Sequence, residues 1–299
     1  METVWTVVFR EKEGGGNSCP VTLDADELTG KQMQEMARQF GVECAFLMRP
    51  SRGDCDVKAR YFVPNHEMEM CIHATIGSVT VLVDHGLISR SPIVFETFYG
   101  SMSVEWERVD SRIQVGVYQF LPSFRVPETD DLCGEVCRAL KIPQEELGDG
   151  PIESVATSRE KLIVQLKHKK VLYALAPDFE YLWELCDRYR TTGFYPFVQE
   201  GDEAGAGYGI FYAQQFPKRA GYNEDPATGV AASALGAYLT QQLVQGTRAV
   251  DDVPGGWHTF VVKQGEAMGR PSVLLSDCLV EHGRITRTRV RGSAEIIDR

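Results

Sequence analysis

A chain of 299 residues, 43% hydrophobic and 24% charged, has the composition of a soluble globular protein with enough apolar content for two cores. Its formal charge of −11 argues against a nucleic-acid or anionic-membrane surface, yet leaves room for an acidic small molecule at a locally positive spot. No apolar run reaches the roughly 18 residues of a spanning helix. The acidic start Met1-Glu2-Thr3-Val4-Trp5 reads as a strand, not a signal peptide, so a cytoplasmic protein is expected.

The N-terminal half is rich in short strands. Val4–Phe9 is an apolar strand, followed by a loop with three consecutive glycines, Gly14-Gly15-Gly16, before Asn17. Val21–Leu23 resumes a strand. Met33, Met36, Ala37 and Phe40 recur at helical spacing and stop at Gly41. Glu43 then stands inside the apolar stretch Val42–Met48. Such a residue is either an exposed edge position or, if it points inward, a carboxyl whose desolvation suits it to carry a proton. Val57–Val63 is a strand, and three β segments follow around Ile93–Thr97, Met102–Trp106 and Ile113–Val117.

Leu121–Pro127, extended and bearing two prolines, is the expected linker. Beyond it the pattern repeats, with helices at Asp131–Leu140 and Phe179–Tyr189. Strands are expected near Ile152–Thr157, Lys161–Leu166, Phe194–Val198, Tyr208–Ala213 and, last, Arg289–Ile297. Many short strands with one long apolar helix per half argue for an α+β fold. No GxxxxGK[ST] loop or strand–GxGxxG–helix unit is present. Eight cysteines without a CxxC pair read as free thiols in a reducing compartment, and neither a disulfide framework nor a metal site is expected.

Two stretches look like copies of one device. In Asn223-Glu224-Asp225-Pro226-Ala227-Thr228-Gly229-Val230, a carboxylate pair precedes a helix start, with Pro226 placed in the first turn. In Glu69-Met70-Cys71-Ile72-His73-Ala74-Thr75-Ile76-Gly77, a polar residue again meets Ala-Thr and a glycine, ahead of an apolar helix placed at Val79–Val83. His73 is set just before that helix, where a cap or a hydrogen-bonded core residue is the plain alternative to a catalytic one. The spacing of Glu69, Cys71 and His73 does not suggest a metal. Tyr61-Phe62-Val63-Pro64 and Gln215-Phe216-Pro217 precede the two devices at similar distances, which suggests a duplicated unit. Helix starts expose N–H groups at the positive end of the helix dipole and bind anions.

At these residues the sequence resembles the phenazine-biosynthesis isomerase-like (PhzF-like) family, which shares the diaminopimelate epimerase fold. The resemblance spans nearly the whole chain. It rests on Gly16-Asn17, Glu43–Leu47, Cys71-Ile72-His73-Ala74-Thr75, Gln215–Tyr222, Glu224–Gly229, and Gln264-Gly265 with Gly269-Arg270-Pro271-Ser272. It implies two similar domains, each a barrel-like sheet around a central helix, with the site in the cleft between them. The expected bounds are 1–120, completed by a strand within 287–299, and 121–286. It further implies a proton-moving isomerase, in which Glu43, His73 and Asp225 are catalytic, without metal, flavin or nucleotide. Asn17, Ile72, Gly229 and Val230 would line the substrate, a small carboxylic or amino acid, and a homodimer is the implied assembly. Two positions depart from the family pattern: Ile72 stands where glycine is usual, and Val230 where serine is frequent. They favour a different acid from the phenazine precursor. A two-base racemase using Cys71, and a binding or scaffold protein that has kept the fold, are the rival readings.

Overall fold

Two helices run through the interior, one buried almost throughout and the other over its first two-thirds, and each is wrapped by strands of its own half. The computed structural model describes residues 1–200, 209–246 and 255–297. It divides into two units: unit 1 comprises Met1–Tyr118 with Arg291–Arg299, and unit 2 comprises Gln119–Val290.

Unit 1 opens with strands β1 (Glu2–Val8) and β2 (Asn17–Leu23), which pair antiparallel with Val8 opposite Asn17. Helix α1 (Gly30–Phe40) follows, its start closed by a Thr29–Gln32 capping box and its end by Gly41 in the left-handed region. Then come β3 (Cys44–Met48), parallel to β2, β4 (Val57–Phe62) and the short β5 (Glu67–Met68). Helix α2 (Ile72–Asp84) is buried from Ile72 through Val83. Strands β6 (Ile93–Thr97), β7 (Gly100–Val109) and β8 (Arg112–Gln119) form an antiparallel meander.

In unit 2 the linker expected at Leu121–Pro127 contains a strand, β9 (Ser123–Arg125), because its backbone pairs antiparallel with β10 (Glu153–Ala156). Helix α3 (Leu132–Leu140) lies between them, capped by Asp131. Next are β11 (Glu160–Gln165), a short helix α4 (Lys169–Tyr173), α5 (Phe179–Arg188) and β12 (Gly193–Glu200). A hydrophobic cluster of Val136, Leu140, Leu182, Leu185 and Phe194 joins α3 and α5 to this sheet. Strands β13 (Ile210–Ala213) and β14 (Phe216–Pro217) lead to helix α6 (Gly229–Gly246). Tyr208, the first residue of one expected strand, lies outside the described residues. Strands β15 (Gly256–Gln264) and β16 (Ser272–Glu281) pair along their length, and β17 (Arg284–Ile297) carries the chain back to unit 1. There Val8 pairs with Ala294 and Trp5 with Ile297; residues 298–299 of the expected closing segment lie outside the described residues.

Both helix starts differ from expectation. The first helix begins at Ile72, not Val79, so His73 sits inside its first turn and Cys71 is the N-cap. Ile, Thr and Val are mediocre helix formers, which hid this turn, but burial against β1, β2 and β3 outweighs intrinsic propensity. The second helix begins at Gly229, with the Thr228 carbonyl accepting from Ala231 and Ala232. Pro226 therefore precedes the helix. Its neighbour Asp225 donates its N–H to the carbonyl of Gln215, the residue before β14, so this backbone is held there and cannot turn helical.

Close approach fixes the helices in place. A Cβ on Gly77 would lie 2.7 Å from Thr6 Oγ1, a hydroxyl committed to the Cys19 carbonyl at 2.7 Å. Gly236 of α6 meets Ser276 of β16 in the same fashion. Gly77→Ala is expected to lower stability by about 1–3 kcal/mol through overpacking, read as a lower urea midpoint at unchanged slope. An unchanged midpoint would show that β1 yields.

Candidate active site

Of the sequence-expected residues, Glu43, Ile72 and His73 gather at the start of α2 in unit 1, and Asp225, Gly229 and Val230 at the start of α6 in unit 2. In unit 1, Cys71 is the N-cap of α2 in extended conformation without a side-chain capping bond, and Ile72, His73 and Ala74 form its first turn. Glu43 lies just before β3, and its carboxyl reaches the His73 ring, Oε2 to Nε2 at 3.2 Å. The two side chains are 18% and 6% exposed, so this is an inward-facing carboxyl, not an edge-strand position. The opposite ring nitrogen, His73 Nδ1, lies 3.2 Å from Cys71 Sγ. The imidazole thus lies against both a thiol and a carboxyl.

The turn that carries these groups is braced from beneath. Thr75 Oγ1 donates to the Cys71 carbonyl at 2.8 Å and meets the buried Tyr61 hydroxyl at 2.7 Å. Desolvation pushes the Tyr61 phenol well up, keeping it a neutral hydrogen-bonding group. Ile72 is buried, and Asn17 opens β2, also buried.

In unit 2, Asp225 is buried and accepts from the Thr228 hydroxyl, just ahead of α6. Gln264 of β15 organises this turn. Its Nε2 donates to the Asp225 carbonyl at 2.6 Å and to Thr228 Oγ1 at 3.0 Å, while its Oε1 accepts from Thr228 N at 3.3 Å and from Tyr195 OH at 2.8 Å. Gly265 follows with φ of +81°, and a Cβ there would lie 2.6 Å from the Pro226 carbonyl. Only glycine lets the two segments come so close. Gly229 is the buried first residue of α6 and Val230, next to it, is partly exposed. Burial lowers the ionisation of Arg270, and the nearby Asp225 carboxylate offsets part of this by favouring its charge.

Glu224 is a perturbed carboxyl of this turn. Burial, reinforced by the adjacent Asp225 carboxylate, pushes it up to about 7. Its Oε1 has no hydrogen-bond partner. Glu224, Tyr61, Tyr195 and Gln264 were absent from the expected site. The acidic pair was a visible signal for Glu224, and the Gln264-Gly265 motif for the brace, but neither tyrosine stands out in sequence. The structure also gathers Glu43 with Cys71 and His73, three metal-capable side chains whose donor atoms lie within 4.8 Å of one another. Sequence spacing around Cys71 and His73 gave no hint of this, because Glu43 arrives from the segment just before β3.

Comparison with known proteins places this geometry in a class. The phenazine biosynthesis-like protein family (PhzC-PhzF) matches residues 7–298, and the chain belongs to that family. Among curated relatives, the uncharacterized isomerase YddE of Escherichia coli K12 is 28% identical over 294 residues, covering 97% of this chain and 94% of the relative. The trans-2,3-dihydro-3-hydroxyanthranilate isomerase of Pseudomonas aeruginosa is 28% identical over 280 residues, covering 93% and 90%. A Bacillus anthracis phenazine biosynthesis protein of the PhzF family shares the fold, with a TM-score of 0.84 at 24% identity over 100% of this chain and 98% of that one. The expected α+β fold is thereby established.

Glu224 makes a pH prediction. A carboxyl raised in the folded chain contributes stability fully below its ordinary value of 4.5, and loses it as pH rises through about 7. Urea midpoints should fall across that window, and Glu224→Gln should flatten the fall. A slope unchanged in Glu224→Gln would assign the dependence to another group.

Proposed function

We propose that this isomerase moves a proton on a small carboxylic or amino acid, unsaturated or cyclic, with Glu43 as general acid and base. The observation that carries the reading is the Glu43–His73 contact, a carboxyl and an imidazole 3.2 Å apart and largely withdrawn from water. A carboxyl in such a place is a competent proton carrier, because it can hold a proton or release one to the ring. The start of α2, directly beside it, offers helix N–H groups and a positive dipole end to negative charge developing on the substrate.

In this reading the turn at Asp225 and Thr228 and the start of α6 take the substrate's polar end. Arg270 and the helix dipole supply positive potential, and Asp225, held by Thr228, takes a donor group such as an amine or hydroxyl. The named activity of the Pseudomonas relative, isomerisation of a dihydro-hydroxyanthranilate, supports the reaction class. Ile72 and Val230 set the present chain toward a less polar acid: Ile72 adds an aliphatic side chain in the first turn of α2, and Val230 offers no hydroxyl in that of α6.

Incubation in deuterium oxide with a panel of small unsaturated and cyclic acids should place carbon-bound deuterium in one class, read by mass spectrometry. Glu43→Gln should cut the labelling rate by about 10²-fold or more. Label that persists undiminished in Glu43→Gln would overturn the assignment. Val230→Ser should improve kcat/KM for more polar acids of that class by about 0.5–1.5 kcal/mol, the net contribution of one hydrogen bond. No change would remove Val230 from substrate selection.

A further inference from the structure

Three side chains of different chemistry crowd the start of α2. Glu43 Oε2 lies 3.2 Å from His73 Nε2, while Cys71 Sγ lies 4.0 Å from that same nitrogen and 3.2 Å from Nδ1. A sulfur in line with the Nδ1 lone pair would stand farther from Nε2, so this one lies beside the ring. One donor atom from each residue falls within 4.8 Å of the other two, and among the described residues no other three His, Cys, Asp or Glu side chains are so disposed. Thiolate, imidazole and carboxylate are the ligand types that zinc takes. With bonds of about 2.0–2.3 Å, a tetrahedral zinc sets its ligand atoms about 3.3–3.6 Å apart. The 3.2 and 4.0 Å separations from Nε2 come within about half an ångström of that spacing.

The charges close as well. Binding exchanges the thiol proton for the metal: a Zn–S bond forms, the S–H bond breaks, and the proton leaves to water. Thiolate and the Glu43 carboxylate then cancel the two positive charges. A neutral group suits a largely buried place at the positive end of a helix dipole, where a net cation would be opposed. The ligands are also held in advance. Cys71 is the N-cap of α2 and His73 lies in its first turn, which Thr75 and the Tyr61 hydroxyl brace at the Cys71 carbonyl. Glu43, with 18% of its side chain exposed, is the donor that an ion arriving from solvent can reach. Three protein ligands leave the fourth position to water.

We propose that Glu43, Cys71 and His73 form a zinc-binding site, and that bound Zn²⁺ shuts off proton transfer there. The metal takes the carboxylate lone pair with which Glu43 would accept a proton, and the imidazole nitrogen that faces it. Zinc is here an inhibitor, reversed by chelation, and takes no part in the isomerisation. The inhibition rests on the proposed role of Glu43; the binding does not.

The test uses the full chain, freed of metal by a chelator under reducing conditions, with Co²⁺ as a coloured substitute for Zn²⁺. Titration should load one Co²⁺ per chain, with a thiolate-to-cobalt charge-transfer band and the visible bands of a four-coordinate site, all erased by Zn²⁺. Cys71→Ser should abolish the charge-transfer band. His73→Asn and Glu43→Gln, checked for folding by circular dichroism, should each weaken binding about 100-fold or more, since groups one step removed from a metal are already worth about 10–100-fold. The site is overturned if no charge-transfer band forms, or if its affinity is unchanged in both His73→Asn and Glu43→Gln. It is also overturned if the band is lost on replacing the two thiols that are not buried, by Cys55→Ser with Cys133→Ser. Should Cys71→Ser fail to fold, the His73 and Glu43 variants decide. With an acid that takes up label in deuterium oxide, one Zn²⁺ per chain should stop labelling and a chelator should restore it. Labelling unchanged or faster in the zinc-loaded protein overturns the inhibition. A Co²⁺ site that depends on Glu43, in a protein that labels no acid, would uphold the metal site while removing the isomerase mechanism proposed above.

Discussion

A helix buried on every side cannot hand its first N–H groups to water. In α2, burial begins with the first helical residue; in α6, Gly229, Ala231 and the following small residues are enclosed as well. The orphan donors at such starts need partners in the protein or in a ligand. This constraint explains why polar and titratable side chains collect there in an otherwise apolar interior. Cys71, His73 and Glu43 gather at one start, and Asp225, Thr228 and Gln264 at the other. The same positive dipole end that attracts an acid also favours the ionised forms of these groups.

The two starts solve their bracing differently. In unit 1 a short chain of hydroxyls, Tyr61 to Thr75, ends on the Cys71 carbonyl. In unit 2 one amide, that of Gln264, spends both its nitrogen and its oxygen on the turn and takes a further bond from Tyr195. Both solutions rest on a buried tyrosine that burial keeps neutral. Rigid first turns matter because a misplacement of about 1 Å at a proton-transfer site costs orders of magnitude in rate.

Much of this was legible from residues alone. Alternating strands, the capped helix ending at Gly41, and the two Ala-Thr-Gly devices are local signals, and the α+β class followed from them. The helix starts were not legible to the residue. Ile72–Val79 is dominated by β-branched and small residues whose propensity hides the first two turns, and Pro226 looks like an N1 proline until Asp225 is seen tied to Gln215. The inward turn of Glu43 was undecidable in sequence, since the choice between edge and interior depends on what packs over it. The two tyrosines were invisible as site residues because their partners, Thr75 and Gln264, lie 14 and 69 positions away, and only the Gln264-Gly265 motif hinted at the brace. Separation in sequence likewise concealed the meeting of Glu43 with Cys71 and His73.

Strand β17 has a consequence for how the chain reaches this state. Its last residues pair with β1, so that Ala294 lies opposite Val8 across nearly the full length of the sequence. Unit 2, in contrast, is a single continuous segment, Gln119–Val290. Contacts of such long range bear a loop-closure cost until the intervening chain is compact. Emerging from a ribosome, the continuous segment of unit 2 can close on itself first, while β1 waits for a partner made after it. Unit 1 is therefore first in sequence and last to be completed, and an isolated fragment ending near residue 118 would expose the edge of β1 that β17 covers.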